Sequence, residues 1–314
     1  MAEQEKAPSL RRMASLTSLA VAFVSIAVKF WAWFATGSVA MLTSALDALV
    51  DAASALVTFV GVRFAQQPPD RHYRWGHGKA EAIAALMQAL FLAGAALALV
   101  FQSIGRLIRP EPLDALGLGL WIIGLSTIAA AGLVIMQSWV LRRTGSTAIA
   151  ADRTHYTTDI AVNLAVLAAL AITLLTGWQR ADPVFALSIS AYMLWNARGI
   201  TVEALRQLMD RELEGEDRDR IKQVVLACTG ATALHDLRTR NAGDRVFIEF
   251  HLEVDGSMPV SRGHTIADAA EMAAGALFPN RAEVTAHIEP AGIRDERLDD
   301  KVHARDRGEE RENG

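Results

Sequence analysis

Apolar and polar residues are distributed so unevenly that this chain falls into two parts. Up to about residue 208, long apolar runs alternate with short polar connections. Six of them, at 14–36, 39–62, 80–102, 115–140, 156–176 and 183–201, reach the length of about 20 residues that a helix needs to cross a bilayer. Beyond residue 208 no run is long enough, and the periodicity shortens. Residues 221–228 follow an amphipathic helical pattern, and 233–240 a strand pattern that ends in an Asn-Ala-Gly-Asp turn. Residues 245–254 alternate strictly, with Val246, Ile248, Phe250, Leu252 and Val254 on one face and Glu249, His251 and Glu253 on the other. A helix over 265–277 and a strand over 281–288 complete an α-β-β-α-β order, which predicts a helix pair on one face of a small sheet. After Gly292 the chain is almost wholly charged, cannot bury a core and is expected to be disordered. The predicted organisation is therefore an N-terminal segment (1–13), a six-helix transmembrane domain (14–208), an α+β domain (209–291) and a charged tail (292–314).

Composition agrees with a membrane protein. The chain is 52% hydrophobic yet 21% charged over 314 residues, with a mean hydropathy of +0.22, so its charge must lie outside the apolar runs. The net charge of -4 averages a basic membrane half against acidic later segments and excludes little. The polar start (Glu3, Gln4, Glu5, Lys6) gives no cleavable signal pattern, and the first apolar run is itself long enough to span. Cys228 is the single cysteine, which rules out a disulfide or a cysteine metal cluster within one chain.

Lysine and arginine set the orientation. Lys6, Arg11 and Arg12 precede the first span. Arg63, Arg71, Arg74 and Lys79 follow the second, Arg142, Arg143 and Arg153 the fourth, and Arg206 and Arg211 the sixth. The first connection carries no charge, and the third and fifth are partly balanced. By the positive-inside rule both termini are expected in the cytoplasm. Lys29, inside the first span, is expected to run its stem toward the headgroups.

Two of the apolar runs carry ionisable pairs four residues apart: Asp47 with Asp51, and His155 with Asp159. Positions i and i+4 share a helix face, so two such helices can aim three carboxylates and one imidazole at a common centre, a complete tetrahedral set for a divalent cation. An intramembrane aspartate costs about 2.5–3.5 kcal/mol or more to insert and usually marks an ion or proton pathway. Two further groups carry metal-ligand chemistry. One is Asp70, His72 and His77 in the loop after the second span, which composition alone also reads as an orientation signal and helix cap. The other is His235, His251, His264, His287 and Glu289 in the α+β domain, where His287 and Glu289 share a strand face.

Together, Asp47-x-x-x-Asp51, the His-Gly-Lys-Ala-Glu segment at 77–81, Ala-Asp-Arg-Thr-His-Tyr-Thr-Thr-Asp at 151–159 and His-Asp-Leu-Arg-Thr-Arg at 235–240 resemble the cation diffusion facilitator family, specifically its bacterial ferrous-iron and zinc efflux branch. The resemblance covers roughly residues 9–291. It implies a homodimer with six spans per protomer in the bacterial inner membrane and a ferredoxin-like cytoplasmic domain. It also implies export of divalent metal in exchange for protons, with no resident cofactor and no nucleic-acid partner. Its transport site falls on Asp47, Asp51, His155 and Asp159; its cytoplasmic binuclear site on His235, His251, His264, His287 and Glu289; its charge interlock on Lys79 and Asp210. Two departures stand out. Tyr73 occupies the loop position where that branch has histidine, with His72 one residue early, and Glu289 replaces an aspartate.

In physical terms, metal and protons compete for the same ligands, since only deprotonated ligands bind metal. Zinc suits the donor set best, with cadmium and iron next and cobalt or manganese behind. Two other classes compete with an exporter. A membrane-embedded metalloenzyme needs an open zinc and a base, typically His-Glu-x-x-His, and no histidine here precedes a glutamate. A passive divalent channel needs a ring of acids but no closed site with an imidazole.

Overall fold

A computed structural model describes residues 7–36, 39–109, 118–178, 180–279, 281–292 and 297–302. The chain divides into two compact units, Met1–Leu208 and Met209–Gly314. In the first, the described residues form six long helices: α1 (Ala7–Thr36), α2 (Val39–Ala65), α3 (Ala80–Ile108), α4 (Leu118–Thr144), α5 (Thr147–Thr176) and α6 (Ala181–Leu208). Helix α3 packs mainly on α6, and α1 on α2. At 1.5 Å per residue these helices of 27–30 residues run to about 40–45 Å, well beyond the ~30 Å hydrocarbon core.

That excess length explains where the apolar runs misplace helix ends. Intrahelical hydrogen bonding continues past the apolar limit into polar residues, so α1 begins at Ala7 rather than 14, and α5 at Thr147 rather than 156. Among the described residues, four helices are long and apolar enough to cross a membrane: Pro8–Trp31, Ala48–Ala65, Ala80–Ile108 and Gly124–Thr144.

The packing of this unit is inverted relative to a water-soluble core. Its buried positions are mostly small, among them Ala14, Ala22, Ala45, Ala48, Ala52, Ala55, Ala82, Ala85 and Ala89. Large apolar side chains such as Phe34 (86% exposed), Trp121 (81%) and Phe101 (75%) point outward. Small residues let helix backbones approach where lipid tails, not water, surround them. Gly61 marks the tightest approach: a Cβ there would collide with Ala84 Cβ on α3.

Polar residues tie the helices together. Arg11, 4% exposed, bridges Glu81 on α3 (3.0 Å) and donates to the Thr144 carbonyl at the end of α4 (2.8 Å). Ser146, in the Gly145–Ser146 turn before α5, donates to the other Glu81 oxygen (2.6 Å). A second node centres on Asp152, which accepts from Gln88 (3.2 Å) and Gln137 (2.6 Å). Gln88 also donates to Thr58 of α2 (2.6 Å). A buried carboxylate would be costly without these donors.

The second unit follows the expected element order: α7 (Gly215–Leu226), β1 (Ala233–Ala242), β2 (Arg245–Val254), α8 (Val260–Gly275) and β3 (Ala282–Pro290). The sheet order is β1-β2-β3, with β1 antiparallel and β3 parallel to β2. The alternating face of β2 forms the core: Val246, Ile248, Phe250, Leu252 and Val254 pack with Ile221 and Val225 of α7 and Ile266, Ala270 and Ala274 of α8. Large side chains are inside here, as water requires.

The tail departs from expectation. Residues 298–302 form a short helical turn, with the Leu298 and Asp299 N–H groups donating to the Asp236 carboxylate (3.0 Å each). Burial pushes the Asp236 carboxyl up, but those two N–H groups outweigh it and hold it below the usual carboxylate range. Charge density argued for an unstructured tail; a specific acceptor on the folded domain overrides it for these residues. The rest of the tail lies outside the described residues.

Candidate metal sites

The membrane cluster is assembled from two helices. Asp51 lies on α2, His155 and Asp159 one turn apart on α5. His155 Nε2 sits 3.3 Å from Asp51 Oδ1 and 3.8 Å from Asp159 Oδ2. One donor atom from each of the three lies within 4.8 Å of the others. Tetrahedral bonds of about 2.0–2.2 Å place ligand atoms about 3.3–3.6 Å apart, so this separation fits a shared cation. His155 is 8% exposed, and its Nε2, which faces the two carboxylates, is buried without a hydrogen-bond partner. Asp47 sits on α2 one turn before Asp51; its side chain lies outside the described ones.

The loop candidates are only partly brought together. His77 Nε2 is 3.6 Å from Asp70 Oδ2, and the His77 ring is buried against Phe64 and Tyr73. Asp70 Oδ1 accepts the N–H groups of Tyr73 (2.8 Å) and His72 (2.7 Å), and these hold its carboxyl below the ordinary range. The His72 ring does not converge on that pair; its Nε2 accepts from Arg71 (3.1 Å).

The cytoplasmic cluster is made by strand register. His235 of β1 pairs with His251 of β2, which pairs with His287 of β3, so three histidines stand on one rung of the sheet. Glu289, two residues further along β3, folds back over that rung: its oxygens lie 3.2 Å from His235 Nε2, 2.7 Å from His251 Nδ1 and 3.6 Å from His287 Nε2. His235, His251 and Glu289 form the compact three-donor set, and His287 stands more open at its edge, its ring 4.9 Å from that of His251. Buried His235 Nδ1 and Nε2 and His251 Nδ1 have no hydrogen-bond partner. His264 is not brought to this set. The core face of α8 is fixed by Gly263, Ile266, Ala267, Ala270 and Ala274, which turns position 264 to solvent, where His264 pairs with Asp268 (3.6 Å).

Lys79 and Asp210 each have a partner in their own unit. Lys79 donates to the Leu208 carbonyl (3.2 Å), and Asp210, with a left-handed backbone (φ 56°), meets Arg240 (3.4 Å). Sequence reasoning assigned no role to Asp152, Glu81 or Glu253. The first two had a usable signal, since each is a carboxylate in a segment already singled out and continuous with a membrane helix. Glu253 had only its place on the polar face of β2.

Comparison with known proteins bears on these clusters. The family model described as cation efflux transmembrane domain matches residues 15–209, and the one described as cation efflux protein, cytoplasmic domain, matches 213–291. The chain is 41% identical over 280 residues to the cation-efflux pump FieF of Klebsiella pneumoniae, covering 89% of this chain and 93% of that one. It is 40% identical over 284 residues to FieF of Yersinia enterocolitica, covering 90% and 94%. A solved structure of CzrB in its zinc form is 41% identical to 28% of this chain, covers all of that chain and has a TM-score of 0.25. The chain belongs to the cation efflux, or cation diffusion facilitator, family: it is a multi-pass membrane transporter that exports divalent metal cations, not an enzyme.

Proposed function

We propose that this protein exports zinc, and less readily cadmium, iron, cobalt or manganese, from the bacterial cytoplasm in exchange for protons. It works as a homodimer of six-span protomers in the inner membrane, with both termini cytoplasmic. Asp47, Asp51, His155 and Asp159 are the transport ligands. The observation that carries this is the convergence of Asp51, His155 and Asp159 from two apolar helices onto one point. Deprotonated ligands take metal from the cytoplasmic side, and protons arriving on the opposite side displace it, because an imidazolium nitrogen has no lone pair to give and a protonated carboxyl has lost the charge that binds a cation. His155, whose nitrogen can hold a proton or a metal but not both, is the natural carrier.

The cytoplasmic cluster is a sensor. Metal held by His235, His251, Glu289 and His287 stiffens the sheet of the dimerising domain and biases the membrane half. Support comes from their shared rung and from buried nitrogens with no hydrogen-bond partner.

Reconstituted vesicles test the coupling. With the cytoplasmic face at higher pH, zinc should leave that face while protons move the other way, and reversing the pH difference should reverse the net flux. Zinc that followed only its own gradient and the voltage would make the protein a channel.

A further inference from the structure

The tail segment 297–302 contacts two neighbours of His235: Asp236, next to it in the chain, and Glu253, beside its ring. Asp236, the residue after His235, has a left-handed backbone (φ 52°) within the irregularity that interrupts β1–β2 pairing between His235 and Arg238. That conformation is costly for a non-glycine residue. The tail fixes it reciprocally: Leu298 and Asp299 N–H donate to the Asp236 carboxylate, and Asp236 N–H donates to Asp299 Oδ2, all at 3.0 Å. Separately, Arg297 Nη2 lies 2.5 Å from Glu253 Oε1, whose other oxygen accepts the Gly292 N–H (3.4 Å). Glu253 Oε1 in turn faces His235 Nδ1 at 3.5 Å.

The two nitrogens of His235 thus have different neighbours. Nε2 looks at Glu289 and the three-donor set; Nδ1 looks at Glu253 on the other side of the ring. Glu253 is therefore placed to orient the imidazole rather than to share its cation. The two groups are 3.5 Å apart without forming a hydrogen bond; the Glu253 carboxylate beside Nδ1 favours the tautomer protonated there, which leaves the Nε2 lone pair for metal. The family match to the cytoplasmic domain ends at residue 291, so the clasp lies beyond it.

We propose that the C-terminal segment 297–302 is a built-in clasp that orients His235 through Asp236 and Glu253, and thereby sets the metal affinity of the cytoplasmic site. The proposal rests on that site binding metal. The clasp and the ion are thermodynamically linked: whatever factor the docked tail adds to zinc affinity, bound zinc adds to tail docking. Arg297 and Asp299 are positioning residues, not ligands.

The test uses the full-length purified protein carrying Asp51→Ala and Asp159→Ala, which silences the membrane cluster. Zinc affinity is measured in this background, then with His235→Ala plus His251→Ala, with truncation after Gly292, with Arg297→Ala and with Arg297→Lys. The background should bind zinc, and the double histidine change should remove that binding. Truncation should weaken it about tenfold, the low end of the 10–100-fold typical for groups behind a metal ligand. Arg297→Ala should give a smaller loss in the same direction and Arg297→Lys should restore most of it, with the metal-free thermal midpoint of both point variants unchanged. Zinc should also slow amide exchange at Leu298 and Asp299. If the histidine change removes binding but neither truncation nor Arg297→Ala alters affinity, the clasp is wrong and the site stands. If the histidine change leaves binding untouched, the cytoplasmic site is wrong and the clasp falls with it.

Discussion

The two candidate metal clusters are built from similar donors by opposite means. In the membrane, His155 and Asp159 are one helical turn apart, and Asp51 approaches from a single neighbouring helix. In the cytoplasmic domain, His235, His251 and Glu289 come from three strands spread over more than fifty residues and meet only because the sheet register aligns them. Their surroundings differ in the same sense. The membrane cluster is set among small residues with large apolar side chains turned outward; the cytoplasmic one sits on the polar face of a sheet whose other face is an ordinary core. A helix pair that slides or tilts changes the distance between Asp51 and His155 and can open the site to either side. A sheet rung cannot do that without breaking its ladder. Cargo handling thus suits the first cluster and sensing the second.

The largest expected effect breaks the membrane cluster. Asp51→Ala or Asp159→Ala should reduce zinc flux in vesicles to that of protein-free liposomes, with the protein still folded by gel filtration, since deleting a costly intramembrane charge need not destabilise the fold. By contrast, His251→Ala with His287→Ala should slow transport only about fivefold, the low end of ordinary allosteric coupling. Equal losses in both sets of variants would erase the distinction between cargo and sensor sites.

Changing ligand chemistry sharpens the comparison. In the proposed ligand set, His155→Asp replaces the only imidazole by a further oxygen donor and should move selectivity from zinc toward harder ions such as manganese. Competition flux assays read this directly, and an unchanged selectivity order would remove His155 from the ligand set. Zinc at a hundredfold excess over its dissociation constant should stabilise the full chain by about 2.7 kcal/mol per site bound only in the native state. In the Asp51→Ala, Asp159→Ala background that gain should survive, disappear with chelator and be absent once His251 and His287 are also changed.

The smallest effect concerns the loop between α2 and α3. The Tyr73 and His72 N–H groups hold the Asp70 carboxyl below its ordinary value of 3.8. A carboxylate with a depressed folded pKa contributes stability that is complete above 3.8 and lost only as pH falls through the lower folded value. Amide exchange at Tyr73 should therefore stay protected at pH 5 and rise only in strongly acid solution. Loss of protection already at pH 5 would mean that Asp70 does not hold the turn.

Much of this molecule was legible in the sequence wherever the relevant contacts are local. The i, i+4 spacing of His155 and Asp159 places both on one face of any helix, and the alternation of 245–254 puts His251 opposite the core in any half-buried strand. Helix ends were harder, because apolarity reports the hydrocarbon core while the helix extends beyond it. Arg11, a plain orientation charge in the sequence, proved to be buried against Glu81. His264 shows a further limit: the family resemblance placed it in the binuclear site, and within one chain the helix face it occupies turns it to solvent beside Asp268, away from the other three histidines.

What the sequence determined by itself was the division into a membrane half and an α+β half, the element order, and the ionisable pairs that lie one turn apart in membrane helices. These follow from periodicity and from the cost of burying charge, which act over a few residues. Only the tertiary structure decided that Asp152 rests on Gln88 and Gln137, that one rung carries three histidines with Glu289 folded over it, and that a charged tail returns to Asp236 and Glu253. Each of those joins residues distant in the chain, and no local preference selects such a partner. It is chosen when the whole fold brings a donor and an acceptor to the same place.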